Sequence, residues 1–72
     1  MKIQEIMQKI AVIRKQKGIT QEVLADGIEK STKFIGDIEM GRRKPSAQTF
    51  IDICTYLEID INSILFGGDN NE

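Results

Sequence analysis

Apolar residues recur at three- and four-residue steps through most of the chain, and no convincing period-two run for a strand is present. Ile3, Ile6, Met7, Ile10 and Ile13 mark one face of a first helix over about residues 2–17. Gly18 ends it, after a basic last turn that suits the helix dipole. Thr20 can cap a second helix, Gln21 to Ile28, whose apolar content is Val23, Leu24, Ala25 and Ile28. Gly27 weakens the end of that helix. Ser31 can cap a third, Thr32 to Met40, with Phe34, Ile35 and Ile38 as its buried face. Gly41 is placed to stop it in the left-handed conformation. Arg42 to Pro45 forms a basic loop. Ser46 caps a fourth helix that buries Ala47, Phe50, Ile53, Cys54 and Leu57. Asp60 caps a short fifth carrying Ile61, Ile64 and Leu65. Residues 1–66 read as one all-α domain, and 67–72 as a polar tail expected to be mobile.

Two charged residues interrupt this pattern. Arg14 follows Ile10 by four and lies on the apolar stripe of the first helix. Glu39 follows Ile35 by four and lies on the stripe of the third. Burying either alone would be costly, and pairing them offsets much of that cost. A structural ion pair between Arg14 and Glu39 is therefore expected, with the planar guanidinium holding the carboxylate by two bonds. The alternative is that both reach water at the rim of the core.

A length of 72 residues bounds the chain to one small domain with a marginal core, of the kind that often gains stability by associating. No apolar run approaches the roughly 18 residues needed to span a bilayer, and the amino terminus does not read as a signal peptide. A cytoplasmic protein without membrane contact is expected. The single Cys54 and the absence of histidine exclude the usual kind of zinc site, and no cofactor or metal is expected. Cys54 itself reads as a small buried filler. With no histidine, no plausible catalytic dyad and no glycine-rich phosphate loop, the sequence does not read as an enzyme.

The net charge of −1 hides segregation. Residues 1–20 carry a net +4, 21–29 a net −3, 30–45 a net +3, and 46–72 a net −5. Chance clustering would give the same totals, but one end of the domain can still present a positive local field.

The stretch "IRKQKGITQEVLADGIEKSTKFIGDIEMGRRKP", followed by "LEIDINSIL", resembles the Cro/repressor-type (XRE-like) helix-turn-helix domains of transcription regulators. The resemblance rests on the spacing of Arg14, Gly18-Ile19-Thr20-Gln21, Leu24-Ala25, Ser31, Ile35-Ile38-Glu39, Gly41 and Lys44-Pro45, without a gap from about Ile10 to Leu65. It implies a compact, lambda-repressor-like five-helix bundle. It also implies a sequence-specific regulator, most naturally a repressor, that binds double-stranded DNA at a twofold-symmetric operator as a homodimer. The third helix would be the recognition helix, with Thr32, Lys33, Gly36 and Asp37 facing the groove. Gln21 would contact a phosphate, and Arg42, Arg43, Lys44 and Ser46 would grip the backbone. Thr20 and Ser31 complete the candidate contact set. The chain departs from the family at Glu29 and Glu58, where glycine is usual, and at Gly36, where serine is frequent. A non-glycine residue at position 29 must accept a left-handed backbone, at around 1 kcal/mol, or the turn differs.

Some roles stay open at this level. Lys33 can donate to guanine O6 and N7, and Thr32 can bond a base edge or touch a thymine methyl. Asp37 can accept from cytosine N4, or pair with Lys33 one turn earlier. Gly36 either lets the helix backbone approach DNA or relieves crowding against the second helix. Tyr56, Ile61, Leu65 and Phe66 form a candidate dimer surface, or else close the core. The competing function is an antitoxin or protein-interaction module, with a protein partner and DNA binding secondary.

Overall fold

A computed structural model describes residues 2–67, and every regular element among them is helical. The elements are α1 (Ile3–Gln16), α2 (Gln21–Gly27), α3 (Thr32–Glu39) and α4 (Ala47–Tyr56), followed by a π-helical turn, Ser63–Gly67. The expected caps are in place. The Thr20 hydroxyl accepts from the Val23 N–H at 3.1 Å, Ser31 from Phe34 at 3.0 Å and Ser46 from Thr49 at 3.1 Å. Each thereby satisfies a backbone donor that the first helical turn leaves open. The tail expectation for residues 68–72 lies outside the described residues.

All four α-helices end in the same way. A residue with positive φ follows the last turn: Gly18 at 75°, Glu29 at 61°, Gly41 at 82° and Glu58 at 58°. The next N–H then reaches back five residues, Ile19 to Arg14 O, Lys30 to Ala25 O, Arg42 to Asp37 O and Ile59 to Cys54 O, at 2.8–3.1 Å. This closure satisfies carbonyls that would otherwise be orphaned. The turn at Glu29 thus keeps the left-handed geometry, and both glutamates bear its steric strain. Replacing Glu29 with glycine should raise stability by about 0.5–1 kcal/mol, the strain relieved less the flexibility glycine adds to the unfolded chain. A urea midpoint shifted upward at constant slope would show it, and an unchanged midpoint would refute it.

Met7, Ile10, Leu24, Ile35, Ile38, Ile53, Cys54 and Leu57 fill the centre of the core, with Ile6, Ala25 and Ile64 around them. Ile3, Ile13, Phe34, Phe50 and Ile61 pack at its edge. Burial pushes the Cys54 thiol up, so it stays protonated and behaves as the expected filler.

Three positions differ from the sequence pattern. Ala47 is exposed and Thr49 is buried in its place. Ala47 is the first residue of α4 and turns outward. The Thr49 hydroxyl is satisfied by the Ser46 Oγ–H at 3.1 Å. Val23 is also exposed, because the inward stripe of the short α2 is Leu24 and Ala25. The fifth element begins as expected, with the Asn62 N–H donating to Asp60 Oδ1 at 3.0 Å. It continues as a π-helical turn that buries Ile64 and leaves Leu65 and Phe66 exposed.

Gly27 has a packing role beyond weakening α2. A methyl group there would overlap the ring of Tyr56, which lies against the end of α2.

Candidate nucleic-acid interface

Arg14 and Glu39 meet, as the interrupted stripes require. Arg14 Nε donates to Glu39 Oε2 at 2.7 Å and Nη2 to Oε1 at 3.0 Å. Their side chains are only 6% and 8% exposed, so this is a buried, bidentate pair rather than a rim contact. Arg14 Nη1 also donates to the Ile19 carbonyl at 2.7 Å, at the corner before α2. One pair therefore joins α1, the α1–α2 corner and the end of α3. Among the described residues no buried side-chain nitrogen or oxygen lacks a partner.

The same carboxylate reaches toward the surface. Gln21 Nε2 donates to Glu39 Oε1 at 2.9 Å. A side-chain amide has two N–H donors, so one is held inside and one remains for an external acceptor. Gln21 is the residue for which a phosphate contact is expected. Its link to the buried pair was not legible from its position as a first-turn polar residue.

Ser31, Thr32 and Lys33 are exposed at the start of α3. Thr20, exposed at the start of α2, and Ser31 each use an oxygen lone pair for capping and keep the hydroxyl proton. Ser46 differs, because its proton is engaged by Thr49. Arg42, Arg43 and Lys44 follow α3 in an exposed loop.

Asp37 joins helix and loop. Lys33 Nζ donates to Asp37 Oδ2 at 2.9 Å and Arg42 Nε to Oδ1 at 3.0 Å. The intrahelical pair with Lys33 is thus formed, and Arg42 is a second partner. Lys33 first, and then Arg42, hold the Asp37 carboxyl below its ordinary range. The sign follows from this depression. The clamp is intact above the ordinary carboxylate range and is lost only as pH falls through the lowered value.

Phe34 and Lys30 belong to this surface, although the sequence pattern assigned Phe34 only to the core. Lys30 Nζ stands 5.3 Å from the Phe34 ring centroid and the Arg43 guanidinium carbon 5.0 Å. Two cations thus flank one half-buried ring, an attraction of about 0.5–1 kcal/mol each at exposed sites. The ring steers Arg43 toward the start of α3. The four-residue step from Lys30 to Phe34 was a visible hint, whereas the return of Arg43 across the loop was not.

Gly36 has room for a side chain. An added Cβ would meet only the Gln21 amide, at 3.7 Å from Oε1 and 3.9 Å from Nε2, which is ordinary contact. Crowding against α2 therefore does not require glycine. Replacing Gly36 with alanine should raise stability by about 0.5–1 kcal/mol, the helix-interior difference between the two residues. Thermal unfolding would measure it, and a lower midpoint would restore the packing explanation.

Among the described residues no helix is long and apolar enough to cross a membrane, and no cluster of potential metal ligands occurs.

Comparison with known proteins agrees with this geometry. The helix-turn-helix family model matches residues 5–64. The uncharacterized HTH-type transcriptional regulator YazB of Bacillus subtilis strain 168 is 37% identical over 57 residues, covering 79% of this chain and 83% of that protein. The immunity repressor protein of Bacillus phage phi105 is 34% identical over 58 residues, 81% of this chain but 40% of the repressor. The uncharacterized HTH-type transcriptional regulator YqaE of B. subtilis strain 168 is 32% identical over 59 residues, 82% of this chain and 51% of its own length. No solved structure gives a significant match. With the α2–α3 corner, its caps and the Arg14–Glu39 brace all formed, the chain belongs to the Cro/repressor-type (XRE-like) helix-turn-helix family.

Proposed function

We propose that this protein is a cytoplasmic transcription regulator that binds double-stranded DNA sequence-specifically and represses by occupying an operator. The observation that carries this reading is the exposed start of α3, Thr32 and Lys33, standing beside the cationic loop Arg42, Arg43 and Lys44. The major groove admits one helix and distinguishes all four base pairs. In a helix-turn-helix the amino-terminal part of the second helix meets the base edges. Thr32 and Lys33 occupy that part of α3. The loop cations and the outward N–H of Gln21 would hold phosphates, which fix orientation without reading sequence. The phage relative is named as an immunity repressor, which favours repression here. No catalytic step belongs to this reading.

A homodimer on a twofold-symmetric operator is the finer part of the proposal. Leu65 and Phe66 are exposed, Phe66 to 73%, and follow Ile64, which lines an apolar groove with Val12, Ile13 and Ile59. That face supports self-association better than Tyr56 and Ile61 do. Ile61 packs at the core edge and Tyr56 is engaged at Gly27.

Selection of bound fragments from a randomised duplex pool tests both parts. The expected consensus is twofold-symmetric, with half-sites about 34–36 Å apart. Affinity should fall steeply with salt. Protein that retains no duplex at low ionic strength, yet captures a stoichiometric protein partner, would replace this reading with the interaction module.

A further inference from the structure

Asp37 is an anion on a surface proposed to face phosphates, which calls for a reason. Its side chain is 19% exposed, while those of its partners Lys33 and Arg42 are 84% and 61% exposed. The carboxylate is therefore largely covered, while the two cations bonded to it stay open to solvent. Each cation engages it through one donor. Lys33 uses one of three N–H groups, and Arg42 uses Nε, leaving both terminal nitrogens for other acceptors. The loop is held to the same residue by its backbone. The Arg42 and Arg43 N–H groups donate to the Asp37 carbonyl at 2.8 and 3.2 Å. Residue 37 thus fixes the direction in which the loop leaves α3, and its side chain fixes the two cations relative to each other.

We propose that Asp37 is a positioning residue for sequence reading, coupling the base-facing Lys33 to the phosphate-facing Arg42 through one carboxylate. This rests on the DNA-binding reading above. A strand held by Arg42 then sets where Lys33 meets a base edge, and neither cation searches independently. Ordering these flexible side chains before binding lowers the entropy lost on complex formation. The carboxylate also repels phosphates that approach without satisfying both cations, which disfavours unspecific encounters.

The test compares wild type, Asp37→Asn and Arg42→Ala on the selected consensus duplex and on random duplex of equal length. Thermal unfolding of each variant first establishes that it is folded. Asp37→Asn should bind random duplex roughly threefold more tightly, because one repelling charge is gone. Its preference for consensus over random duplex should fall about tenfold, with the loss concentrated at the base pair read by Lys33. Arg42→Ala, confined to the exposed loop, should relax the same base pair although Arg42 itself would touch only a strand, because its bond to Asp37 is lost with it. The double variant should lose no more discrimination than Asp37→Asn alone. If Asp37→Asn strengthens consensus and random binding by the same factor, Asp37 is merely a charge and the coupling is refuted. If Arg42→Ala weakens all duplexes equally with the consensus unchanged, the coupling is likewise refuted. In both cases wild type still selects a consensus, so the regulator reading survives. A wild type that selects no duplex overturns that reading and this inference together.

Discussion

Replacing Glu39 with alanine is expected to lower stability by about 3–5 kcal/mol, the range for removing one partner of a buried ion pair. The Arg14 side chain, 6% exposed when Glu39 is in place, would keep only the Ile19 carbonyl as acceptor, and Gln21 would lose its inner partner. A chain of 72 residues has a total stability of roughly 4–11 kcal/mol, so much of the population could unfold. Urea denaturation measures the loss, and a value below about 0.5 kcal/mol would reject a structural role. Substituting methionine at both Arg14 and Glu39 is the informative control. It leaves no unpaired charge, so most of the stability should return. DNA affinity should still fall in that variant, because nothing orients the Gln21 amide.

The second large effect concerns the loop. Substituting glutamine for both Arg43 and Lys44 should weaken binding to every duplex, on the order of thirtyfold at low salt, at about 1 kcal/mol per lost contact. The slope of log affinity against log salt should fall by about 2, one counterion for each phosphate released. The consensus itself should not change, since these cations would position the protein without reading bases. An unchanged slope would place both side chains away from the strands. The Phe34 ring would lose Arg43 but keep Lys30, so only a small stability change is expected.

The parts of this fold that were legible in the sequence are those governed by short steps along the chain. Thr20, Ser31 and Ser46 could be placed as caps because a cap bonds a neighbour three residues on. The Arg14–Glu39 pair was legible for a different reason. Each charge interrupts an apolar stripe, and burial leaves it no cheaper solution than the other. What stayed hidden depends on how the chain returns on itself. Arg42 reaches Asp37 because Gly41 turns the chain back after α3, and Arg43 reaches Phe34 through the same loop. Gln21 meets Glu39 only because α2 and α3 cross at the right place. The π-helical turn at Ser63–Gly67 has no signal in the spacing of Ile61, Ile64 and Leu65, which a regular helix would share.

The candidate site divides along the same line. The exposed start of α3 and the basic loop could be expected from the family resemblance, residue by residue. The second partner of each carboxylate could not, because nothing in the spacing brings Arg42 back to Asp37 or Gln21 across to Glu39.

Four α-helices that each terminate in a left-handed residue, with a bond spanning five positions, leave the intervening corners little freedom to swing. A platform locked in this way cannot mould itself to an imperfect groove. On the DNA-binding reading proposed above, adjustment would then fall to the duplex, which would bend or narrow to match. Steps that unstack easily should be favoured between and beside the contacted bases, so nucleotides beyond the reach of any side chain are expected to tune occupancy.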